Sequence, residues 1–232
     1  MKFINKMLQK WFKKRYSKKT FRGIDKELLT VFSKNGDGIY YMNVKPVSHN
    51  FLSRAIAWFS GGWTHTVPVV YMRKGVLDYV FQNFGITEHS KLLAGLNEYY
   101  KDYKESDLQA LIIGSADNIG LTVCSASAYQ LRKFTLRKMN DLGGDKQNKC
   151  IKFLLDKIGD PYDATGMVFQ PLSNVPLLKV LYGIFDTDNL YCSEQVEEMA
   201  NVVNRTVARR SNPSPGHIEE ANVYPIIFLR GV

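Results

Sequence analysis

The stretch of sequence that decides the fold is Leu190-Tyr191-Cys192-Ser193-Glu194-Gln195-Val196. Apolar residues then recur with the i, i+3, i+4, i+7 spacing of one helical face, at Val196, Met199, Ala200 and Val203. We therefore expect a helix that begins beside Cys192, with Ser193 as its cap and acidic residues in its first turn. A thiol at a helix N-terminus meets unpaired backbone N–H groups, which favour the nucleophilic thiolate and can hold a developing oxyanion.

The cysteines also allow a structural interpretation, because a free cysteine is most often a small buried hydrophobe. Cys150 lies on the apolar side of a predicted helix and is expected in the core, whereas Cys124 falls in an irregular segment. Three widely spaced cysteines do not suggest a disulfide framework, so a reducing compartment is the simpler inference. The four histidines show no metal-ligand spacing, and we predict neither a metal nor a cofactor.

Length and hydropathy limit the architecture. A chain of 232 residues, 45% of them hydrophobic, suffices for one sizeable core, and one domain over residues 23–232 is expected. No apolar run is long enough for a transmembrane helix, and the basic start of the chain lacks the apolar stretch of a secretory signal. A cytoplasmic or peripheral membrane location follows as the expectation, and a place in a virion stays open.

Positive charge is concentrated at the start of the chain. Residues 1–22 contain nine of the 31 basic residues and no acid, so the remaining chain carries 22 basic and 22 acidic residues. Six apolar residues of this arm fall on one helical face opposite the lysines, and its most interfacial part is Trp11, Phe12, Lys13, Lys14 and Arg15. Such a helix suits an anionic membrane surface, but it could equally pack on its own domain or on a partner protein. Nucleic-acid binding and targeting are weaker interpretations.

Helices and strands follow one another in separate runs, which predicts an α+β fold with an antiparallel sheet. The predicted strands are 39–44, 63–71, 77–81, 108–114, 128–136 and 223–229, and the predicted helices are 24–32, 51–59, 87–103, 146–158 and the one after Cys192. Pro68 inside the second strand suggests an edge position or a bulge, and residues 77–81 are expected to pair back on that strand as a hairpin.

A nucleophilic cysteine needs a base and a polar group that orients the base. His65 is the best candidate base, because it opens a predicted strand just after Gly61-Gly62, where a side chain can face a cleft. The predicted hairpin partner would offer Gln82, Asn83 or Asp78 as the third group. A lone histidine at a strand start is more often structural. Trp58 and Trp63 flank the glycine pair and are expected to pack in the core rather than to form a substrate groove.

Three pieces of sequence match a known family in the same order: GDGI at 36–39, WTHTV at 63–67, and GDPYD at 159–163 followed by YCSE at 191–194. The chain resembles the circularly permuted papain-like, NlpC-like superfamily, and in particular its YiiX-like branch. Lecithin–retinol acyltransferase and related phospholipase/acyltransferases are cousins of that branch. In the permuted enzymes the histidine precedes the cysteine, as it does here. The resemblance is sparse and covers roughly residues 33–230, with departures at Thr66, Pro68 and Gln195.

The resemblance implies a thiolate–imidazolium pair on a permuted papain-like scaffold, whose antiparallel sheet packs against helices that include the nucleophile helix. By position, Cys192 is the nucleophile, His65 the base and Gln82 the nearest match to the third polar residue. Ser193 and Tyr162 are candidates to line the cleft or hold the oxyanion, although Tyr162 more simply shapes the loop beside Cys192.

The leading hypothesis is a cysteine hydrolase that cleaves an amide through a Cys192 thioester. The NlpC-like resemblance implies cell-wall (peptidoglycan) peptides as substrates, because peptidase-type members dominate the bacterial and phage relatives. The acyltransferase cousins and the basic arm favour a lipid-directed thioesterase or acyltransferase instead. A third alternative is a non-catalytic structural, virion or membrane-docking module on the same fold.

Overall fold

The computed structural model describes residues 24–46, 54, 57–58, 60–72, 110–115, 121–129, 131–157, 160, 192–208 and 213–231. The strands in these segments are β1 Gly38–Val44, β2 His65–Tyr71, β3 Ala110–Ser115, β4 Leu121–Ser125, β5 Phe134–Lys138 and β6 Ile226–Arg230. The helices are α1 Lys26–Asn35, α2 Gly144–Asp156, α3 Cys192–Asn201 and α4 Pro215–Ala221, with a 3₁₀ turn at Ala126–Tyr129.

The sheet is built outward from β1 and β2. These two strands pair antiparallel over their whole length, from Gly38 opposite Tyr71 to Val44 opposite His65. Strands β3 and β4 extend the sheet on the β2 side, and β5 and β6 extend it on the β1 side, giving the order β4-β3-β2-β1-β5-β6 with antiparallel pairing throughout. The predicted α+β class with an antiparallel sheet is confirmed.

Helices cover both faces of the central strands, which explains why every residue of β1 is buried. On one face, Phe32 of α1 stacks on Tyr71 at 5.0 Å between ring centroids and meets the Tyr40 ring edge-on at 5.2 Å. On the other face, Asn43 bonds Glu219 of α4. Successive side chains of a strand point to opposite faces of the sheet. Since both faces of β1 are covered, its residues do not alternate between apolar and polar, and an apolar layer forms on each side.

Helix α1 is fixed at both ends. Asp25 caps it by accepting the Leu28 N–H at 2.8 Å, and the same carboxylate takes two hydrogen bonds from Arg230 of β6, at 2.6 and 3.1 Å. Gly36 ends the helix with φ +75°, a left-handed value that suits glycine, and donates its N–H to Phe32 O at 2.9 Å. The cap therefore ties the start of the domain to its last strand.

Helices α2 and α3 bury the faces that their spacing predicts. Cys150, Ile151 and Leu154 of α2 are fully buried, as are Val196 and Met199 of α3. The two helices touch where the Cys150 thiol donates to Met199 O at 3.5 Å. Burial raises the pKa of Cys150 to about 11, so this thiol stays protonated at neutral pH. The prediction of Cys150 as a core residue is confirmed.

The structure corrects the prediction for β2. Pro68 lies in a central strand and pairs with Tyr41 without a break in register, whereas an edge or a bulge was expected. Strand β3 pairs with β2 only from Val69 onward. Pro68, which has no N–H to donate, therefore lies outside the hydrogen-bond ladder between these two strands. At Val69–Tyr71 the edge of β2 opposite β1 is occupied by β3. The predicted hairpin partner 77–81 lies outside the described residues.

Two further elements differ from prediction. Residues 121–125, expected to be irregular, form β4, so Cys124 lies in a strand, and the predicted strand 128–136 is a 3₁₀ turn followed by β5. Residues 213–216 have the Pro- and Gly-rich composition of a loop, but α4 begins among them, with Ser214 as its cap and Pro215 in its first turn. Serine before proline is a helix-start signal that the loop composition obscured. The predicted helix 87–103 lies outside the described residues.

Candidate active site

Cys192 is the first residue of α3, and its side chain is 1% exposed. The helix packs more extensively against β2 than against any other described element. Its apolar face, including Val196, Met199 and Ala200, is fully buried. The nucleophile candidate therefore stands at the N-terminus of a helix whose position is fixed by the core, on the strand that begins with His65.

His65 is the partly exposed first residue of β2, and its Nε2 atom is buried. The imidazole stacks against the ring of Tyr129 in the 3₁₀ turn, with centroids 5.9 Å apart and planes 29° apart. A ring held this way loses rotational freedom about χ2, as a proton-transfer group requires. Tyr129 is thus an orienting neighbour that the sequence did not identify.

One connection places the start of α3 at the same end of the sheet as His65. The Ser193 hydroxyl donates to Pro213 O at 2.6 Å, and the adjacent Ser214 caps α4. In that helix Gly216 lies so close to the turn before β2 that a Cβ atom at this position would stand 2.2 Å from Ser60 O. Residues 213–216 therefore join the N-terminus of α3 to the segment that leads into His65.

Thr66, the residue after His65, is held by a buried polar chain. Its hydroxyl donates to Asn43 Oδ1 at 2.7 Å, and Asn43 Nδ2 donates to Glu219 Oε2 at 2.6 Å. Thr66 is 0% and Asn43 1% exposed, so water does not compete for these bonds. The start of β2 is thereby fixed to β1 and to α4.

Arg137 completes this buried cluster from β5. It is 2% exposed and forms an ion pair with Glu219 at 2.9 Å. It also donates to Asn222 Oδ1 at 2.6 Å and to the carbonyl of Tyr224. Thr135 donates a further hydrogen bond to Glu219 at 3.0 Å. No sequence signal pointed to this cluster, because the bonds of Arg137 and Glu219 join residues more than 80 positions apart and the pattern alone predicts charged residues at the surface.

Glu197 has a structural role at the far side of α3. It accepts the backbone N–H groups of Val207 and Ala208 at 2.8 and 2.7 Å, together with the Thr206 hydroxyl. The residue is 4% exposed, although the sequence pattern placed it among the first-turn acids. It holds the chain that leaves α3 against the helix, and so helps to fix the helix that carries Cys192.

The predicted site residues have different outcomes. Cys192 and His65 are positioned as described above. Ser193 lies within α3 and is not its cap, and its hydroxyl donates a hydrogen bond to the carbonyl oxygen of Pro213. Any part that Ser193 plays in holding an oxyanion would therefore rest on its backbone N–H. The remaining predicted residues lie outside the described segments: Gln82, Asn83, Asp78, Tyr162, and the arm residues Trp11, Phe12, Lys13, Lys14 and Arg15.

A polar cleft of about 730 Å³ lies at the opposite end of α3, and neither Cys192 nor His65 lines it. Its walls include Asn201, Asn204, Arg205 and Asp141. Ten residues of helix at 1.5 Å per residue put this cleft roughly 14 Å from the Cys192 end. It is separate from the candidate active site.

Within the described segments, no group of three or more His, Cys, Asp or Glu residues is arranged to hold a metal ion. The helices described there also include none that is both long and apolar enough to cross a bilayer. A comparison of the chain with protein-family models found no match, and a search of curated proteins found no match either.

Proposed function

We propose that the protein is a cysteine hydrolase in which Cys192 attacks an amide carbonyl and His65 transfers the proton, on a permuted papain-like fold. The observation that carries the proposal is the placement of Cys192 at the start of a buried helix packed on β2, at the end of that strand where His65 lies. The sequence order of histidine before cysteine supports the same assignment.

The reaction would proceed in two steps. The Cys192 sulfur bonds to the carbonyl carbon, and the electron pair moves to the oxygen, where backbone N–H groups at the start of α3 stabilise the charge. The carbonyl then re-forms, the C–N bond breaks, and His65 gives its proton to the departing amine. In the second step His65 takes a proton from water, the hydroxide attacks the thioester, and the acid and the thiolate are released.

For the third member of the site, the polar residue that orients His65, we propose three candidates: Gln82, Asn83 and Asp78. A carboxylate would stabilise the imidazolium more strongly than an amide, and an amide would orient the ring by accepting its N–H. Tyr129 already restricts the His65 ring by stacking, so that a neutral third residue would suffice for orientation. We favour Gln82 from the family resemblance.

An amide in a cell-wall peptide is the substrate that we favour. The alternative substrate is a lipid acyl group, cleaved or transferred through the same thioester. One observation favours the alternative that the protein is a non-catalytic module. Cys192 is only 1% exposed, whereas a substrate must reach its sulfur. Access to the thiol is therefore the property to measure first.

The test is alkylation of the folded chain by iodoacetamide at mildly acidic pH, with each cysteine followed by peptide mass spectrometry. We expect Cys192 to react at least tenfold faster than Cys150, whose thiol is buried with a pKa of about 11. His65→Ala should slow Cys192 alkylation at this pH, because the thiolate loses its imidazolium partner. His217→Ala is the matched control, since that histidine caps α4 by accepting the Ser214 N–H.

Equal, slow labelling of Cys192 and Cys150, unchanged by His65→Ala, would refute the enzyme proposal and favour the non-catalytic module. A second readout uses an activated ester, with release of the alcohol followed by absorbance. The proposal requires a burst that matches the enzyme concentration, a thioester on Cys192 detected by mass, and loss of both in Cys192→Ala.

A further inference from the structure

Two large apolar side chains stand out of the surface at the His65 end of the sheet. Trp58 is 81% exposed and Leu131 is 75% exposed, the two highest values among the large hydrophobic residues described. The sequence pattern predicts Trp58 in the core, and that prediction is wrong, whereas Trp63 is buried as predicted. An isolated exposed leucine is ordinary, but a tryptophan with 81% of its surface exposed is uncommon enough to need a reason.

Contacts through Lys45 place both side chains on one edge of the molecule. On one side, the Lys45 ammonium lies 3.9 Å from the Trp63 ring centroid, and Gly62, the residue before Trp63, donates its N–H to the carbonyl oxygen of Ala57, next to Trp58. On the other side, Arg132 donates to Lys45 O at 3.0 Å, next to Leu131. We call Trp58, Leu131, Lys45, Arg132 and Lys133 the rim.

The rim is basic as well as apolar. Lys45 and Lys133 are joined through the backbone, where the Lys45 N–H bonds Lys133 O at 2.8 Å, so these two residues and Arg132 are neighbours in the fold. Arg54, also exposed, precedes Trp58 by about one helical turn. Glu220 lies near this edge as well, with Oε1 3.4 Å from the Cβ position of Gly61. Of these five charged residues, all described, four are basic and one is acidic.

We propose that the rim docks on an anionic membrane surface. Tryptophan is the side chain that best tolerates the boundary between headgroups and acyl chains, and leucine beside it adds apolar area. Lysine and arginine around them would face lipid phosphates, each contributing roughly fivefold in affinity at low salt. The charge of the rim selects this occupant over a neutral apolar partner protein.

The proposal concerns residues of the described part of the chain and not those of the basic arm, and it stands whether or not Cys192 is catalytic. If Cys192 is catalytic as well, docking would present the His65 end of the sheet to the bilayer. The substrate would then be an acyl or amide group held at a membrane. Only this inference about the substrate rests on the proposed function.

The experiment measures partition of the full chain onto vesicles of phosphatidylcholine with phosphatidylglycerol, with pure phosphatidylcholine vesicles for comparison. We expect Trp58→Ser/Leu131→Ser to lower the partition constant at least tenfold, and Lys133→Gln to lower it severalfold. Val202→Ser is the matched control, because that residue is 42% exposed at the opposite end of α3. Vesicles should also shift tryptophan emission to the blue, and Trp58→Phe should reduce that shift.

Three results would overturn the proposal. One is unchanged partition of the double variant, which would assign all binding to the arm. Another is an emission shift in Trp58→Phe as large as that of the wild type, because Trp11 of the arm can account for a residual shift but not for an unchanged one. The third is complete competition by duplex DNA together with equal loss in the Val202→Ser control, which would indicate a general polyanion effect. Circular dichroism checks that the double variant is folded, and Lys133→Gln, at an exposed position, gives an independent test. Cys192→Ala should leave partition unchanged, which separates this proposal from the enzymatic one.

Discussion

Replacing Glu219 with alanine is expected to lower the free energy of unfolding by about 3–5 kcal/mol, because the buried Arg137 guanidinium then keeps its charge without a counterion. Glu219 receives hydrogen bonds from Asn43 at 2.6 Å, Thr135 at 3.0 Å and Arg137 at 2.9 Å. Bonds to a charged group are worth about 1.5–3 kcal/mol each, but they are shared within one network and do not add. Arg137 is 2% exposed, whereas the Glu219 side chain is 15% exposed, so little solvent reaches the guanidinium while the carboxylate is in place.

The assay is urea denaturation followed by circular dichroism. With a slope of roughly 1–3 kcal/mol per molar urea, the expected loss moves the midpoint down by more than about 1 M. A domain of ordinary stability, about 5–15 kcal/mol, could be largely unfolded by this change. Glu219→Gln serves as the milder variant, since it keeps the side-chain size and one acceptor oxygen while it removes the charge.

Asp156→Ala is the matched control for an ion pair in solvent. Asp156 pairs with Lys152 at 2.5 Å, and the two side chains are 60% and 52% exposed. Pairs of this kind are worth about 0.3–0.5 kcal/mol in helices. If Glu219→Ala lowers the free energy of unfolding by no more than Asp156→Ala does, then burial of the cluster does not strengthen its interactions, and the prediction is wrong.

Two further perturbations test other parts of the structure. Burial acts to raise the pKa of Asp25, but the hydrogen bonds from Arg230 and the α1 backbone outweigh it and hold this pKa below its ordinary value near 3.8. The stabilisation by Asp25 is therefore complete above that ordinary value and is lost as pH falls through the lowered one, so wild type and Asp25→Asn should differ in melting temperature at pH 7 and converge in acid. Gly216→Ala should destabilise by about 1–3 kcal/mol, measured by urea denaturation, because its Cβ would lie 2.2 Å from Ser60 O.

Each of these has a result that contradicts it. A constant difference in melting temperature between wild type and Asp25→Asn over the whole pH range would show that the carboxylate charge contributes nothing. For the glycine, Gly144→Ala is the control, since a Cβ there meets nothing within 4 Å. Equal effects of the two alanine substitutions would mean that α4 does not depend on its close approach to Ser60.

Local pattern predicted the helices that have one apolar face and the central strands that form an apolar run. The i, i+3, i+4 spacing was sufficient for α2 and α3, and the apolar runs were sufficient for β1 and β2. It failed for β4, which stands between Gly, Ser and Asn residues that usually mark loops. It also failed for Pro68, because the sequence does not show whether the position of the missing N–H faces a neighbouring strand or a place where the strand has no partner.

The candidate site divides in the same way. Cys192 could be placed at a helix start from its own neighbours, and His65 was selected as the base from its position at the start of a predicted strand, but only the family resemblance connected the two residues. The cluster of Asn43, Arg137 and Glu219 was out of reach, because its bonds connect residues on three elements distant in the chain. Buried charges of this kind become predictable only once the sheet order is known.

The strand order has a consequence for synthesis. Every described strand after β1 joins an edge that an earlier described strand has already created, first β2, β3 and β4 on one side, then β5 and β6 on the other. During synthesis each of these strands therefore emerges when its neighbour is already available. The helix that starts at Cys192 emerges after five of the six described strands, so β2, the strand on which it packs, is made well before it.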